Sequence, residues 1–331
     1  TKQIEQAFLP VVTLKSLAEV SHDEIPPSLK SVIVAGEQLQ ITGAIRNLFR
    51  HGICPVHNHY GPTESHVVSS YSLTGSSCDW PYLPPIGSPV DNTKLYILNS
   101  AGQLCPAGVT GEVHIGGDCL AIGYLNDSTQ NGQSFIDTVN YGRLYKTGDL
   151  AYWNEQGELL YQGRNDRQIK IRGFRVEPAE TERILDSLPM IKQSLIVASE
   201  KDDDKFLTAY CVLDNKAPDN WIDEAKHILQ DKLPEYMIPA WFEKLDTIPL
   251  TNSGKVDYLK LPEPSRQIHD QEKVAPTNEL ERSLSKLWSE LLNVEEIGIN
   301  ENFFDIGGHS LLAVQLLHQI ESRLGLTIPL T

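Results

Sequence analysis

A serine in a glycine-rich stretch has the surroundings in this chain that most favour covalent modification. Ser310 ends the run Asp305-Ile306-Gly307-Gly308-His309-Ser310, and two aromatic residues, Phe303 and Phe304, precede that run. The glycine pair frees the backbone, so Ser310 is predicted to lie exposed at the start of a helix. A helix N-terminus favours anionic groups, so a phosphodiester on Ser310 Oγ would suit this place. The alternative is a simple N-cap serine.

A second polar motif, Asn58-His59-Tyr60-Gly61-Pro62-Thr63-Glu64, brings a hydroxyl, a carboxylate and an aromatic ring together at a turn. Thr63, Glu64 and Tyr60 are residue types that contact a phosphate, a divalent cation and a flat base, respectively. The alternative is a plain Gly-Pro turn. His57 and His59 also suggest a metal pair, but no cluster of further ligands accompanies them in the sequence.

Two further segments offer charged side chains for binding or catalysis. Asp149 closes Tyr145-Lys146-Thr147-Gly148-Asp149, where its carboxylate can accept hydrogen bonds. Lys255 follows Gly254 in Thr251-Asn252-Ser253-Gly254-Lys255, where a loop is predicted to present a compact cation. The alternative for Lys255 is an ordinary surface lysine in a turn.

Composition limits the classes of protein to which these motifs can belong. The chain has 331 residues, 40% hydrophobic and 22% charged, which is typical of one to three globular domains. No apolar run is long enough to span a membrane, and the first residues do not resemble a signal peptide. The formal net charge of −16 argues against nucleic acid as a partner. Five scattered cysteines without a CxxC pair indicate a reduced, cytoplasmic protein.

The elements that must position the motifs fall into successive regions. Residues 1–165 are predicted to form an α/β part followed by a β-rich part, with strands at 31–36, 94–98 and 111–115 and a helix near 41–51. Residues 166–262 alternate strands and helices in the order of a small α+β domain. Residues 263–275 have the composition of a linker, and 276–331 show the apolar spacing of helices.

With these motifs in this order, the chain resembles the nonribosomal peptide synthetases across nearly its whole length. Residues 305–311 resemble the phosphopantetheine site of a peptidyl carrier domain, and the upstream chain resembles the C-terminal part of an adenylation domain. The resemblance implies a multidomain fold. Its parts are the C-terminal part of the large α/β adenylation subdomain at 1–165, a small α+β lid at 166–262, a linker at 263–275 and an all-α carrier bundle at 276–331.

The resemblance also implies an activity in two steps. An amino acid, or a related carboxylic acid, reacts with ATP and Mg²⁺ to give acyl-AMP, and the acyl group then becomes a thioester on 4′-phosphopantetheine at Ser310. The implied partners are the acid substrate, a phosphopantetheinyl transferase, the N-terminal part of the adenylation domain and neighbouring synthetase domains, with neither nucleic acid nor membrane among them. An excess of acidic residues in 276–331 would suit basic surfaces on these proteins.

Individual roles carry over from the family residue by residue. Asn58 and Tyr60 would lie beside adenine, Thr63 would touch the α-phosphate, and Glu64 would help to hold Mg²⁺. Asp149 would bind the ribose, with Arg164 as a second nucleotide contact. Asp166 falls on the hinge of the small subdomain. Lys255 would bridge the substrate carboxylate and the α-phosphate, which stabilises the attack of one anion on another.

The acyl pocket is inferred by position alone. A mostly apolar lining indicates a hydrophobic or aromatic side chain on the substrate, with His59 meeting a polar tip. The residues assigned to this lining are Val12, Ile33, Ala35, His59, Val67 and Val68.

The sequence departs from the family in several places. Ile122 stands where the family usually has a basic residue, in a segment interpreted as scaffold. The family's phosphate loop with its lysine has no match, and Leu73-Thr74-Gly75-Ser76-Ser77 imitates it only weakly. The acidic residue that usually holds a substrate α-amine is also absent, as is a last carrier helix. We therefore expect that this chain alone does not form the adenylate.

Two other interpretations are kept open. One is a fatty-acid or aryl-acid ligase fused to an acyl carrier, which would share the ATP motifs. The other is a carrier and docking fragment without catalysis of its own. Against the second stands the set Asp149, Asp166 and Lys255, which a pure carrier does not need.

Overall fold

The computed structural model describes residues 3–20, 25–51, 54–171, 173–201, 204–251, 254–264, 274–292, 294, 297–301, 303, 306, 308, 310–326 and 328. The chain divides into two units, Thr1–Glu177 and Pro178–Thr331. No helix in these described ranges has the length and apolar character to cross a bilayer.

The first unit begins with a five-stranded sheet in the order β1-β2-β3-β4-β5. The pairs β1–β2 and β2–β3 are parallel, while β4 and β5 continue the sheet in antiparallel fashion. The strands are β1 Gln6–Pro10, β2 Ser31–Ala35, β3 Val56–Tyr60, β4 Ser69–Leu73 and β5 Ser88–Pro89.

Two helices, α1 Val11–Val20 and α2 Gly43–Leu48, pack on one face of this sheet. The Thr42 side chain accepts a hydrogen bond of 3.3 Å from the backbone N–H of Ile45, which caps the start of α2. Val34 and Val56, both 0% exposed, belong to the apolar cluster that the helices cover. The sheet therefore has one covered face and one less buried face.

A second, antiparallel sheet follows in the order β10-β9-β7-β6, and β8 pairs with β9. Its strands are β6 Thr93–Leu98, β7 Gly111–Gly117, β8 Phe135–Thr138, β9 Gly142–Trp153 and β10 Leu159–Arg164. The short helix α3, Ser128–Ser134, precedes β8. Tyr60 and Val68 of the first sheet region share an apolar cluster with Ile115 and Tyr145, which fixes the two sheets against each other.

A two-stranded hairpin closes the first unit. Its strands, β11 Ile169–Ile171 and β12 Phe174–Val176, pair antiparallel, with Lys170 opposite Arg175. The division of the chain into two units after Glu177 places this hairpin in the first unit, and the start of the small subdomain at 166 stays a prediction.

The second unit holds a three-stranded sheet in the order β13-β14-β15. The strands are β13 Ile191–Lys201, β14 Asp204–Leu213 and β15 Trp241–Leu245, and the helices of this part are α4 Pro178–Asp186 and α5 Trp221–Lys232. The parallel pair β14–β15 adds a strand that the sequence pattern did not predict. The predicted α+β character of this region is confirmed.

Two helices, α6 Glu279–Leu292 and α7 Ser310–Leu324, form the described part of the carrier region. A reciprocal cap fixes the start of α6: Asn278 accepts from the N–H of Glu281 at 2.9 Å, and Glu281 accepts from the N–H of Thr277 at 2.6 Å. Leu287, Phe303, Leu316 and Ile320 form the buried core between the helices. The helical character predicted from the apolar spacing is confirmed, whereas most of the predicted linker, residues 265–273, lies outside the described residues.

Candidate functional site

A buried carboxylate stands at the centre of the polar groups in the first unit. Asp149, on β9, is 2% exposed and accepts a hydrogen bond of 2.6 Å from the Tyr60 hydroxyl. Arg164 donates to its other oxygen at 2.7 Å, and Tyr161 approaches that oxygen at 3.4 Å. Burial, followed by the charge of Asp149, raises the pKa of Tyr60 well above its ordinary value, so Tyr60 remains a hydrogen-bond donor. The structure thus unites the predicted pair Tyr60 and Asp149.

Arg164 connects this carboxylate to the predicted hinge. Its Nε and Nη2 atoms each lie 2.7 Å from an oxygen of Asp166, and Nη2 also donates to the carbonyl of Thr147 at 2.8 Å. The loop that allows this approach contains Gly148, at φ +74°, and a Cβ there would collide with the Asp166 and Arg164 side chains. The positive φ favours glycine at this position, and a Cβ there would displace the Asp166 and Arg164 side chains.

Asn58 and Thr63 occupy different environments within their motif. Asn58 is 2% exposed, and its amide donates to the carbonyl of Pro85 at 2.8 Å, so this amide ties β3 to the loop between β4 and β5. Thr63 is exposed in the turn after β3, with a hydroxyl open to a ligand. Gly61 lies against the backbone of His66, where a Cβ would not fit. The turn therefore folds back tightly on itself and holds Thr63 and Glu64 at the end of β3.

Glu64 is the carboxylate in this turn, and its oxygens are already engaged. Tyr124 donates to Oε1 at 2.5 Å, and Nη1 of Arg175 lies 2.7 Å from Oε1 and 2.6 Å from Oε2. Burial raises the pKa of Glu64, but the hydrogen bond from Tyr124 and the charge of Arg175 outweigh it, and the net pKa lies below its ordinary value. Glu64 is therefore ionised at neutral pH.

An ionised, buried carboxylate fits a Mg²⁺ site that is completed by phosphate and water oxygens. Within the described part of the chain, no group of three or more His, Cys, Asp or Glu side chains is arranged to hold a metal by protein ligands alone. Glu64 is thus suited to a cation that arrives with a nucleotide, provided that Arg175 moves away from the carboxylate.

The less buried face of the first sheet carries three of the six predicted acyl-pocket residues, Ile33, Ala35 and His59, whereas Val12 lies on α1 and Val67 lies between β3 and β4. Ile33 pairs with His57 across β2 and β3, and Ala35, His59, Val12 and Val67 are likewise half-buried. The rings of His57 and His59 lie 6.4 Å apart. Burial, with smaller contributions from His57 and His66, lowers the pKa of His59, so it is neutral at pH 7.

Val68 differs from the other predicted pocket residues. It is 0% exposed and lies in the apolar cluster between the two sheets, together with Tyr60 and Ile86. Val67, its neighbour in the segment between β3 and β4, is half-buried. In this structure the Val68 side chain is part of the scaffold.

Lys255 lies in the second unit, in a narrow turn. The backbone N–H of Thr251 donates to the carbonyl of Lys255 at 2.7 Å, and Gly254 has φ +80°. Lys255 is exposed, as a residue presented by a loop should be, while Asn252 and Ser253 of the motif lie outside the described residues.

Ser310 is the first residue of α7, as the sequence predicted. Before it, the N–H of Gly308 donates to the carbonyl of Phe303 at 2.8 Å, and a Cβ at Gly308 would collide with the Phe303 ring. Phe303 packs edge-on against Trp288, with ring centroids 5.0 Å apart. This aromatic anchor supports the turn that leads to Ser310, while Asp305, Gly307 and His309 lie outside the described residues.

Sequence reasoning missed several residues of the site. Arg175, Tyr124, Tyr161 and Glu37 all contact predicted site residues or the hairpin beside them. Among these four residues, only Arg175 could have been found from the sequence. It is a charged residue between Phe174 and Val176 in a short strand, which indicates that this strand face contacts other residues as well as solvent. Ile122, the departure from the family, is 98% exposed, and Arg143 donates to its carbonyl at 2.5 Å.

Comparisons with known proteins show which families and proteins this chain is similar to. The family described as AMP-binding enzyme matches residues 6–125, and the family described as phosphopantetheine attachment site matches residues 282–331. Tyrocidine synthase 2 of Brevibacillus parabrevis is 40% identical over 335 residues, and gramicidin S synthase 2 of Brevibacillus brevis is 39% identical over 337 residues. Each alignment covers 99% of this chain but only 9% and 7%, respectively, of the two relatives.

Among solved structures, the chain is similar to holo-PA1221, described as an NRPS protein containing adenylation and PCP domains bound to a vinylsulfonamide inhibitor. The two chains are 27% identical with a TM-score of 0.75, and the match covers 96% of this chain and 52% of the other. The match extends over the adenylation part and the carrier part together.

Proposed function

We propose that this chain takes part in both steps of amino-acid activation. The proposal starts from its family, because the chain belongs to the nonribosomal peptide synthetases. It contains the C-terminal part of an adenylation domain followed by a phosphopantetheine carrier domain. In the first step a carboxylate oxygen of the substrate attacks the α-phosphorus of ATP. A bond forms between this oxygen and the α-phosphorus, the bond from the α-phosphorus to the oxygen that bridges to the β-phosphate breaks, and pyrophosphate leaves. In the second step the acyl group passes from AMP to the carrier.

The observation that carries this proposal is the arrangement around Asp149. A buried carboxylate held in place by the Tyr60 hydroxyl and Arg164 is suited to accept hydrogen bonds from ribose hydroxyls. The hydroxyl of Tyr60, the proposed adenine neighbour, donates to this carboxylate at 2.6 Å. Thr63 follows in the same turn with an exposed hydroxyl for the α-phosphate.

Glu64 would hold Mg²⁺, which supplies positive charge to the phosphates when it is bound. Lys255 would meet the negative charge that develops between the substrate carboxylate and the α-phosphate. Its exposure at the end of a narrow turn supports this function, since the ammonium group carries no cost of burial before substrate binds. Asp166, in contact with Arg164, would be the residue about which the small subdomain turns.

Ser310 would carry the 4′-phosphopantetheine arm, which supplies the thiol that receives the acyl group. Its position as the first residue of α7 supports this assignment, because the N–H groups of a helix start favour an attached phosphodiester. A phosphopantetheinyl transferase would install the arm, and neighbouring synthetase domains would receive the acyl group. Covalent attachment gives the thiol a high effective concentration at the adenylate.

The substrate class follows from the less buried face of the first sheet. Ile33 and Ala35 offer apolar contact, and a neutral His59 offers one hydrogen bond. We therefore expect an amino acid with a hydrophobic or aromatic side chain that ends in a polar atom.

Mass spectrometry tests the carrier assignment on this chain directly. After incubation with coenzyme A and a phosphopantetheinyl transferase, the expected adduct maps to Ser310, and an unmodified chain or an adduct elsewhere contradicts the proposal. ATP–pyrophosphate exchange in a complete module tests the activation step. Exchange with long-chain fatty acids and none with amino acids would support the ligase alternative instead.

A further inference from the structure

The contact between Glu64 and Arg175 joins two parts of the chain that are far apart in sequence. Nη1 of Arg175 lies within 2.7 Å of both oxygens of Glu64, and the Tyr145 hydroxyl lies 3.4 Å from the same guanidinium. Glu177, on the segment after β12, approaches Arg175 at 3.7 Å. Together with the hydrogen bond from Tyr124, these contacts leave Glu64 little room for another ligand.

A second contact fastens the same hairpin to the first sheet. The N–H of Gly173, in the turn between β11 and β12, donates to the side chain of Glu37. Glu37 and Glu64 follow β2 and β3, which are neighbouring parallel strands, so both carboxylates lie at the same edge of the sheet. The hairpin is thus held at its turn by Glu37 and along its strand by Glu64.

Burial makes the Glu64 contact more consequential than a surface ion pair. The Glu64 side chain is 8% exposed and that of Arg175 is 30% exposed. Removing Arg175 would leave the Glu64 charge buried without its counter-ion, which is strongly unfavourable, whereas removing Glu64 would leave Arg175 with only the longer contact to Glu177. Lys170, opposite Arg175 on the hairpin, adds a second positive charge on the same face.

We propose that Arg175 is a positioning residue that docks the β11–β12 hairpin by occupying the carboxylate of Glu64, so that the docked hairpin and a divalent cation compete for this carboxylate. The second half of this statement rests on the proposed function, in which Glu64 holds Mg²⁺. Glu64 is then free for a cation only when Arg175 has withdrawn. The docking of the hairpin and the binding of a cation at the nucleotide site are therefore coupled through the Glu64 side chain.

The Gly173 N–H reports docking, because it bonds to Glu37 and does not belong to the paired residues of the hairpin. Its hydrogen exchange is measured in the metal-free chain for the native sequence, Arg175→Gln, Glu64→Gln and the double variant. We expect exchange about tenfold faster in each single variant, which is the middle of the range for coupling between residues in contact. The double variant should be no faster than the singles.

Matched variants separate docking from general damage. Arg143→Gln removes a guanidinium that donates to the carbonyls of Ala121 and Ile122, and it should leave Gly173 exchange unchanged. Arg175→Lys should restore part of the protection. The amides of β9 serve as the folding control, because they should keep their protection in every variant. Native Gly173 exchange in Arg175→Gln, with β9 intact, would overturn the docking function.

Mn²⁺ alone, without nucleotide, tests the competition. Its binding is followed by the electron paramagnetic resonance signal of the free ion. Arg175→Gln should bind Mn²⁺ about tenfold more tightly than the native chain, and adding Glu64→Gln should abolish that gain. Equal affinity in the native chain and Arg175→Gln would overturn the competition. Modification of Ser310 by coenzyme A does not involve Glu64, so a failure here and a failure of the carrier function remain distinguishable.

Discussion

Arg164 donates two hydrogen bonds of 2.7 Å to Asp166, the residue at the predicted hinge, while a third N–H of the same guanidinium holds Asp149. One side chain therefore touches both the proposed ribose ligand and the proposed hinge. A ligand that binds to Asp149 changes the electrostatic environment of Arg164. It therefore also changes the strength of the hydrogen bonds from Arg164 to Asp166. This geometry gives the nucleotide site a direct physical connection to the segment that leads into the small subdomain.

Replacing Arg164 by glutamine should destabilise the first unit. The side chains of Arg164 and Asp149 are 11% and 3% exposed, and breaking such a buried pair costs about 3 kcal/mol. Hydrogen exchange of the β9 amides measures this loss for the first unit alone. Asp166→Asn is the matched control. Asp166 is 44% exposed, so the loss should stay below about 1 kcal/mol. Equal losses of stability in Arg164→Gln and Asp166→Asn would contradict the expectation that the buried pair with Asp149 contributes more.

Lys255→Ala should slow adenylate formation in a complete module by roughly 10²–10³, the effect of removing one preorganised charge donor. ATP–pyrophosphate exchange gives the rate. The exposed Lys260 lies in the same segment, and Lys260→Ala is the control, expected to leave exchange unchanged. If Lys255→Ala retains native exchange, Lys255 does not act at the reacting groups.

Ser310→Ala should abolish thioester loading and leave adenylate formation intact, because the serine is proposed only to attach the arm. Loading of a radiolabelled amino acid and ATP–pyrophosphate exchange measure the two steps separately. The nearby Ser322, near the end of α7, provides the control Ser322→Ala, which should load normally. Loss of both steps in Ser310→Ala would argue against this division of labour.

At acidic pH, the free energy of unfolding should depend on the ionisation of Glu64. Its pKa in the folded chain lies below the ordinary value of 4.5, so its stabilising contribution is complete above that pH and is lost as the pH falls through the lowered folded value. The difference in unfolding free energy between the native chain and Glu64→Gln should therefore be greatest near neutral pH and shrink below about pH 4.5. A difference that stays constant between pH 7 and pH 3 would mean that Glu64 is not ionised in its contacts.

Local motifs explain how much the sequence alone predicted. Asn58, Tyr60 and Glu64 belong to one continuous segment, and Ser310 follows its glycines directly, so their neighbours in sequence are also their neighbours in space. Short-range rules for strands, turns and helix starts apply to such segments. The strand predicted at 31–36 and the helix start at Ser310 were confirmed for this reason.

Contacts across long separations were not predictable in this way. Arg175 and Glu64 are 111 positions apart, and no periodicity in either segment indicates that they meet. The pairing of β15 with β14 depends on a parallel neighbour that lies far away in sequence, and the predicted pocket member Val68 is buried in a cluster with residues of both sheets. Tertiary structure alone determines these positions.

The placement of the β11–β12 hairpin bears on the construction of chimeric synthetases. A junction made at the hinge, just before Asp166, would take Arg164 and Glu64 from one parent and Asp166 and Arg175 from the other, so both contacts would have to form between foreign partners. A junction after Glu177 keeps the two ion pairs and the Gly173–Glu37 contact within a single parent. Recombination at that point transfers the helices and sheet of the second unit while leaving both charge pairs of the first unit within one parent.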